Sequence, residues 1–222
     1  MPRITRITSL SPEELEDFFR LLPRILCDYR PPNRGPFELV FVFGETPDNA
    51  DSSLLKAIEL ASAGAMKALG MCGGGPAHGY GGFDASVERL KALGWDGRVP
   101  IIPIDVTDER GNTNTLLDAR GLIRHASALS GDIGVLAPAF NLPRTFITTI
   151  TGLGGQSKRV YAIAGTPLPW TERVVHSQGI VENTRAGLLE DELGRLERYR
   201  AEEYGSLFSA AAVLRYLNWR DT

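Results

Sequence analysis

Short β-rich segments and longer stretches of helical periodicity alternate along most of this chain. The β-rich segments fall at 38–43, 67–72, 99–104, 132–137 and 159–163. Each is followed by a helix-like stretch, near 52–65, 84–93, 115–129, 142–151 and, after a longer loop, 182–200. Strands that alternate with helices at intervals of about 30 residues read as βαβ units. Right-handed crossovers then gather the strands into one parallel sheet with helices on both faces. The expected fold is α/β, a Rossmann-like three-layer sandwich of about five parallel strands spanning residues 37–181.

Helices are expected on either side of that unit. Ser11-Pro12-Glu13-Glu14 is a capping box with proline at the first helical position, which predicts a helix over 12–27. Leu15, Phe18, Phe19, Leu22, Ile25 and Leu26 recur on one face of it, and Glu16, Asp17, Arg20 and Arg24 take the other. The proline-rich stretch 31–36 cannot continue a helix, so residues 1–36 read as an N-terminal helical appendage. Residues 182–222 read as a C-terminal helical segment packing on the same domain, with a last apolar helix at 207–217. The mixed charges at 190–203 read as a solvated helix face.

Of the 222 residues 43% are hydrophobic and 23% charged, the composition of a folded globular chain. Lys and Arg number 24 against 27 Asp and Glu, a net charge of −3 that makes no electrostatic case for nucleic acid or an anionic membrane. No apolar run approaches the length of a membrane span, and Arg3 and Arg6 interrupt the first ten residues, so neither a span nor a secretory leader is expected. Cys27 and Cys72 lie in no metal-binding or disulfide spacing, which suits a cytoplasmic protein without a metal site. Glycine is the anomaly. Six of its 24 copies fall within residues 73–82.

Ligands of open α/β sheets bind beyond the carboxyl ends of the strands. Here those ends carry the least ordinary segments of the sequence: Gly44-Glu45-Thr46-Pro47, the glycine-rich 73–82, the polar 105–114, Asn141 leading to Arg144, and Gly165-Thr166. Gly73, Gly74 and Gly75 open a loop whose N–H groups suit an anion near a helix N-terminus, although neither a dinucleotide fingerprint nor a P-loop is present. His78 in that loop is a candidate acid/base group. Glu109 precedes Asn112, Thr113, Asn114 and Thr115, which offer a helix cap together with a dense set of hydrogen-bonding groups. Asn141 is a candidate cap for the next helix. Arg144 lies at the positive end of that helix dipole, where a cation calls for an anion: either a ligand, or an ion pair with Asp84 or Glu109. Cys72 reads as a small buried hydrophobe more readily than as a nucleophile. His125 reads as structural, and His176 lies within reach of the strand ends.

In this order the segments resemble the SanA/ElyC/YdcF family of bacterial proteins, and its YdcF-like branch most closely. The likeness is carried by Gly73-Gly74, Asp84-Ala85, Glu109-x-x-Asn112-x-Asn114-Thr115 with Asp118-Ala119, and Asn141-Leu142-Pro143-Arg144. Asn112 stands where the family has Ser, and Asn141 where it has His. The resemblance implies a Rossmann-like fold with a strand-end pocket, and S-adenosylmethionine binding is associated with some members.

Three functional expectations follow. The first is an enzyme acting on a small polar, anionic metabolite, with Glu109 as acid/base and Glu45, Asp84 and His78 in reserve. Gly44, the glycine loop, Asn112, Asn114, Thr115, Asn141 and Arg144 would hold its ligand. The second is a non-catalytic module for S-adenosylmethionine or a nucleotide, which the exchange of the family histidine for Asn141 favours. A structural domain whose loops are only caps is the third and weakest reading.

Overall fold

Alternation along each strand divides the core into two layers. In β1 (Leu39–Val42) Leu39 and Phe41 face one side of the sheet and Val40 the other. The same division holds in β4 (Ile133–Ala137), where Ile133 and Val135 oppose Leu136. The computed structural model describes residues 10–77, 79–107, 114–176, 181–199 and 207–222. With β2 (Leu69–Cys72), β3 (Ile101–Ile104) and β5 (Val160–Ala164) the two strands form the expected all-parallel, five-stranded sheet, in the order β3-β2-β1-β4-β5.

That order fixes the layers. The chain steps outward from β1 through α2 (Pro47–Ser62) and α3 (Phe83–Ala92), then crosses back to the far side of β1 through α4 (Thr115–Ala126) and continues by α5 (Leu142–Leu153). Right-handed crossovers in opposite directions put their helices on opposite faces. Accordingly Leu54, Ala57 and Leu90 of α2 and α3 pack with Val40 and Leu69, whereas Leu122, Phe146 and Ile150 of α4 and α5 pack with Leu39, Phe41 and Val135. Because the winding reverses between β1 and β4, the crevice beyond their carboxyl ends is left uncovered by either set of helices.

The terminal helices complete the second layer. Phe18, Leu21 and Ile25 of α1 (Pro12–Leu26) join the same core as Val213 and Leu217 of α7 (Ala210–Arg220). Both also close the exposed edge of β5, since an unpaired strand edge invites association. Val160 N–H donates to the Tyr216 hydroxyl at 2.7 Å and Ala162 N–H to Asp28 Oδ2 at 2.8 Å. Arg220, 1% exposed, grips both Asp28 oxygens at 2.6 Å and donates to the Val160 carbonyl at 2.9 Å. Tyr216→Phe removes the acceptor of a partly buried backbone N–H, so urea unfolding should show a loss of about 1–3 kcal/mol.

Several boundaries differ from the periodicity. α2 begins at Pro47, five residues earlier than expected, because Pro47 takes the first helical position and the polar Asn49, Ser52 and Ser53 are buried. The long loop after β5 contains a hairpin, β6 (Arg173–His176) paired antiparallel with β7 (Val181–Thr184). The helix expected from 182 therefore starts only at Arg185, as α6 (Arg185–Tyr199), and the last helix is shifted from 207–217 to Ala210–Arg220. The supposedly solvated face of α6 also needs correcting, because Glu192 and Arg195 are buried. Among the described residues no helix is long and apolar enough to cross a membrane.

Candidate functional site

The β6–β7 hairpin is fastened to the first turn of α2, and this fastening sets a histidine over the crevice. Thr46 Oγ1 and Asn49 Nδ2 donate to the Val175 carbonyl at 2.6 and 3.2 Å, and Val175 N–H donates to Asp48 Oδ2 at 2.9 Å. Arg185, at the start of α6, donates to Asn49 Oδ1 at 3.0 Å, to the Asp48 carbonyl at 2.7 Å and to the Pro169 carbonyl at 2.9 Å. The next residue after Val175 is His176, held edge-on to the Phe140 ring with 5.1 Å between centroids.

A line of buried polar side chains runs from that histidine in both directions. His176 Nε2 meets Glu192 Oε1 at 3.2 Å, and Glu192 also accepts from Arg195 Nη1 at 2.9 Å and from Arg144 Nε. Arg144 Nη1 continues to Thr115 Oγ1. On the other side His176 Nδ1 stands 3.6 Å from Glu45 Oε2, too far for a hydrogen bond, while Asn141 Nδ2 donates to Glu45 Oε1 at 2.6 Å. Glu45 Oε2, Asn141 Oδ1 and His176 Nδ1 are buried with no hydrogen-bond partner. Unpaired buried polar atoms are costly, and three on neighbouring side chains mark a place where a ligand completes the set.

The two glutamates differ in environment. Burial pushes the Glu45 carboxyl above the ordinary range, and His176 and the Asn141 hydrogen bond only partly oppose it. Burial acts the same way on Glu192, but there Arg144, the His176 hydrogen bond and Arg195 outweigh it and hold the carboxyl well below the usual range. An ionised carboxylate only accepts, so the hydrogen between His176 and Glu192 sits on Nε2. In its neutral form the ring then turns the Nδ1 lone pair toward Glu45.

Glu45, Thr115, Asn141, Arg144, His176 and Arg195, with Glu192 behind them, form one wall of a cavity of ≈540 Å³, a volume suited to a small molecule. Of the residues singled out in the sequence, Gly44, Glu45, Gly74, Gly75, Asn114, Thr115, Asn141 and Arg144 line it. Gly73 does not, its N–H being tied to the Ile104 carbonyl at 2.8 Å, and Asp84 is exposed on α3 away from the cavity. His78, Glu109 and Asn112 lie outside the described residues.

Some assigned roles change. Asn114 is the cap of α4, accepting from Leu116 N–H and Leu117 N–H at 2.9 and 3.0 Å. Asn141 makes no cap bond with its side chain and spends the amide on Glu45 instead. The partner of Arg144 is Glu192, which the sequence did not single out. In the glycine loop, Gly79 (φ 84°) and Gly82 (φ 90°) occupy left-handed conformations that return Tyr80 to the crevice. The Tyr80 hydroxyl donates to the Cys72 carbonyl at 2.8 Å, and its ring packs against Gly44 so closely that a Cβ there would lie 3.3 Å away.

Cys72 lines the same cavity, but burial and the nearby Asp118 push its thiol well above the usual range, which disfavours the thiolate a nucleophile needs. Cys27 is exposed. Titration with a thiol reagent should label one cysteine of the two in the native protein and both after denaturation; rapid native labelling of both would contradict this burial.

Compared with protein-family models, curated proteins and solved structures, the chain matches none of them.

Proposed function

We propose that the protein is an enzyme that moves a proton on a small polar, anionic ligand bound beyond the carboxyl ends of β1 and β4, with Glu45 as its acid/base group. The observation that carries this reading is the unpaired Glu45 Oε2, buried at the cavity wall 3.6 Å from His176 Nδ1. A carboxyl raised by burial exchanges a proton nearer neutral pH than an ordinary one, and general acid/base help of this kind contributes about 10²–10⁴-fold to rate.

The residues around Glu45 then have distinct tasks. Asn141 anchors Oε1, which leaves Oε2 to carry the proton. His176 stands next in line as a second proton acceptor. Glu192, itself fixed by Arg144 and Arg195, sets the tautomer of that ring and acts as a positioning residue. Arg144 Nη2 has no partner among the described residues and supports the anionic character of the ligand. Glu45 thus takes the role the sequence reading gave first to Glu109. The resemblance to SanA/ElyC/YdcF proteins belongs to the same proposal; its support is that Gly74, Asn114, Thr115, Asn141 and Arg144, which carry it, border one cavity.

The test is untargeted mass spectrometry of a small-molecule cell extract incubated with the protein. Wild type should deplete at least one anionic species that Glu45→Gln leaves untouched. Equal depletion by both proteins would remove Glu45 from the chemistry. Saturable binding without depletion would favour the module for S-adenosylmethionine or a nucleotide.

A further inference from the structure

The geometry points to a ligand class for this cavity: a monocarboxylate with a hydroxyl or amino group beside the acid and an apolar, preferably aromatic, body. The inference rests on the cavity being the ligand site proposed above, and it comes from matching each wall to the group that satisfies it.

The polar wall asks for two different partners. Asn141 Oδ1 only accepts, and it is unpaired in a residue 3% exposed. Beside it lie Glu45 Oε2 and His176 Nδ1, so a ligand hydroxyl or amine reaching this corner finds an acceptor and a group able to exchange its proton. Arg144 Nη2 offers the opposite, a charged donor left over after Nε and Nη1 are engaged by Glu192 and Thr115. A carboxylate suits the N–H groups of that nitrogen.

A polyphosphate does not suit the same wall. The described charges lining or backing the cavity are Arg144 and Arg195 against Glu192 and Asp118, with Glu45 shifted toward its neutral form, so positive charge does not accumulate. Three of the backbone donors at the helix starts beside the cavity are also occupied. Phe83 N–H, at the start of α3, donates to the Gly74 carbonyl at 3.0 Å, and Leu116 N–H and Leu117 N–H, at the start of α4, are capped by Asn114.

The remaining wall is apolar and includes Phe43, Tyr80, Val106, Leu116 and Leu207. Tyr80 is held in place through its hydroxyl and by contact with Gly44, so it presents a fixed ring to a flat ligand body.

Calorimetric titration of the full chain with 3-phenyllactate and trimmed analogues tests the assignment. 3-Phenyllactate should bind, and removing the hydroxyl (3-phenylpropionate), the ring (lactate) or the carboxylate (3-phenylpropane-1,2-diol) should each weaken binding by about tenfold or more. Asn141→Ala should abolish the preference for the hydroxyl. Leu116→Trp, which crowds the apolar wall without touching the polar network, should weaken 3-phenyllactate by about tenfold or more with little change in melting temperature. ATP or S-adenosylmethionine binding as tightly as 3-phenyllactate would overturn the ligand class while leaving the acid/base site standing, and so would equal affinity across the trimmed series. Binding by no compound of the panel would overturn the class and count against the cavity itself.

Discussion

Glu192→Gln should destabilise the protein by about 3–5 kcal/mol at neutral pH, the usual cost of breaking a buried charge network by removing one partner. For a chain of this size that lowers the melting temperature by about 6–20 °C. The side chain is 1% exposed, and all its neighbours are donors: Arg144 Nε, Arg195 Nη1 and His176 Nε2. A glutamine has nearly the same shape, but its amide nitrogen must then face an N–H group, and two guanidiniums lose their buried counter-charge. The pH dependence follows from the lowered folded-state pKa. Stabilisation by the carboxylate is complete above the reference value of 4.5 and is lost as pH falls through the lower folded value. The gap between wild type and variant in urea unfolding should therefore be constant from pH 8 to about 5 and narrow on further acidification. A variant as stable as wild type at pH 7 would show that the network holds nothing together.

The sequence made the frame of this molecule easier to read than the contents of its site. β1 to β5 were legible because each is a short apolar run and the first four are each followed by a helix of clear periodicity, and the strand ends could then be named without knowing the sheet order. Glu45, Asn141 and Arg144 were found in that way, since each directly follows a strand or opens the helix after one. Glu192 and Arg195 were hidden for a physical reason. A charged helix stretch has the same pattern whether water or a buried partner satisfies it, and the partner of Glu192 is 48 positions away at Arg144. The β6–β7 hairpin was missed because β6 is apolar only at Val174 and Val175 and β7 is largely polar, so neither makes an apolar run. Its stability comes from bonds to Thr46, Asp48 and Asn49, remote in sequence and themselves disguised as a loop by their polarity.

Glu45→Gln should have the opposite effect on stability from Glu192→Gln, although the two glutamates flank the same histidine. The glutamine carbonyl can keep the hydrogen bond from Asn141, and its amide can give His176 Nδ1 the donor that it lacks. The variant also removes the cost of ionising a buried carboxyl, so it should be more stable than wild type by about 1–3 kcal/mol at neutral pH. Here the folded-state pKa is raised. The favourable contribution of the protonated acid is complete below 4.5 and is lost as pH rises through the higher folded value, so the advantage of glutamine should be small near pH 4 and grow toward pH 8. Turnover should fall by about 10²–10⁴-fold, because an amide cannot carry the proton. Gain of stability with loss of activity is the behaviour of a residue retained for chemistry at a cost to the fold. A Glu45→Gln protein that is less stable than wild type at every pH would instead make Glu45 a structural link between β1 and the hairpin, and the proton would have to travel by another group.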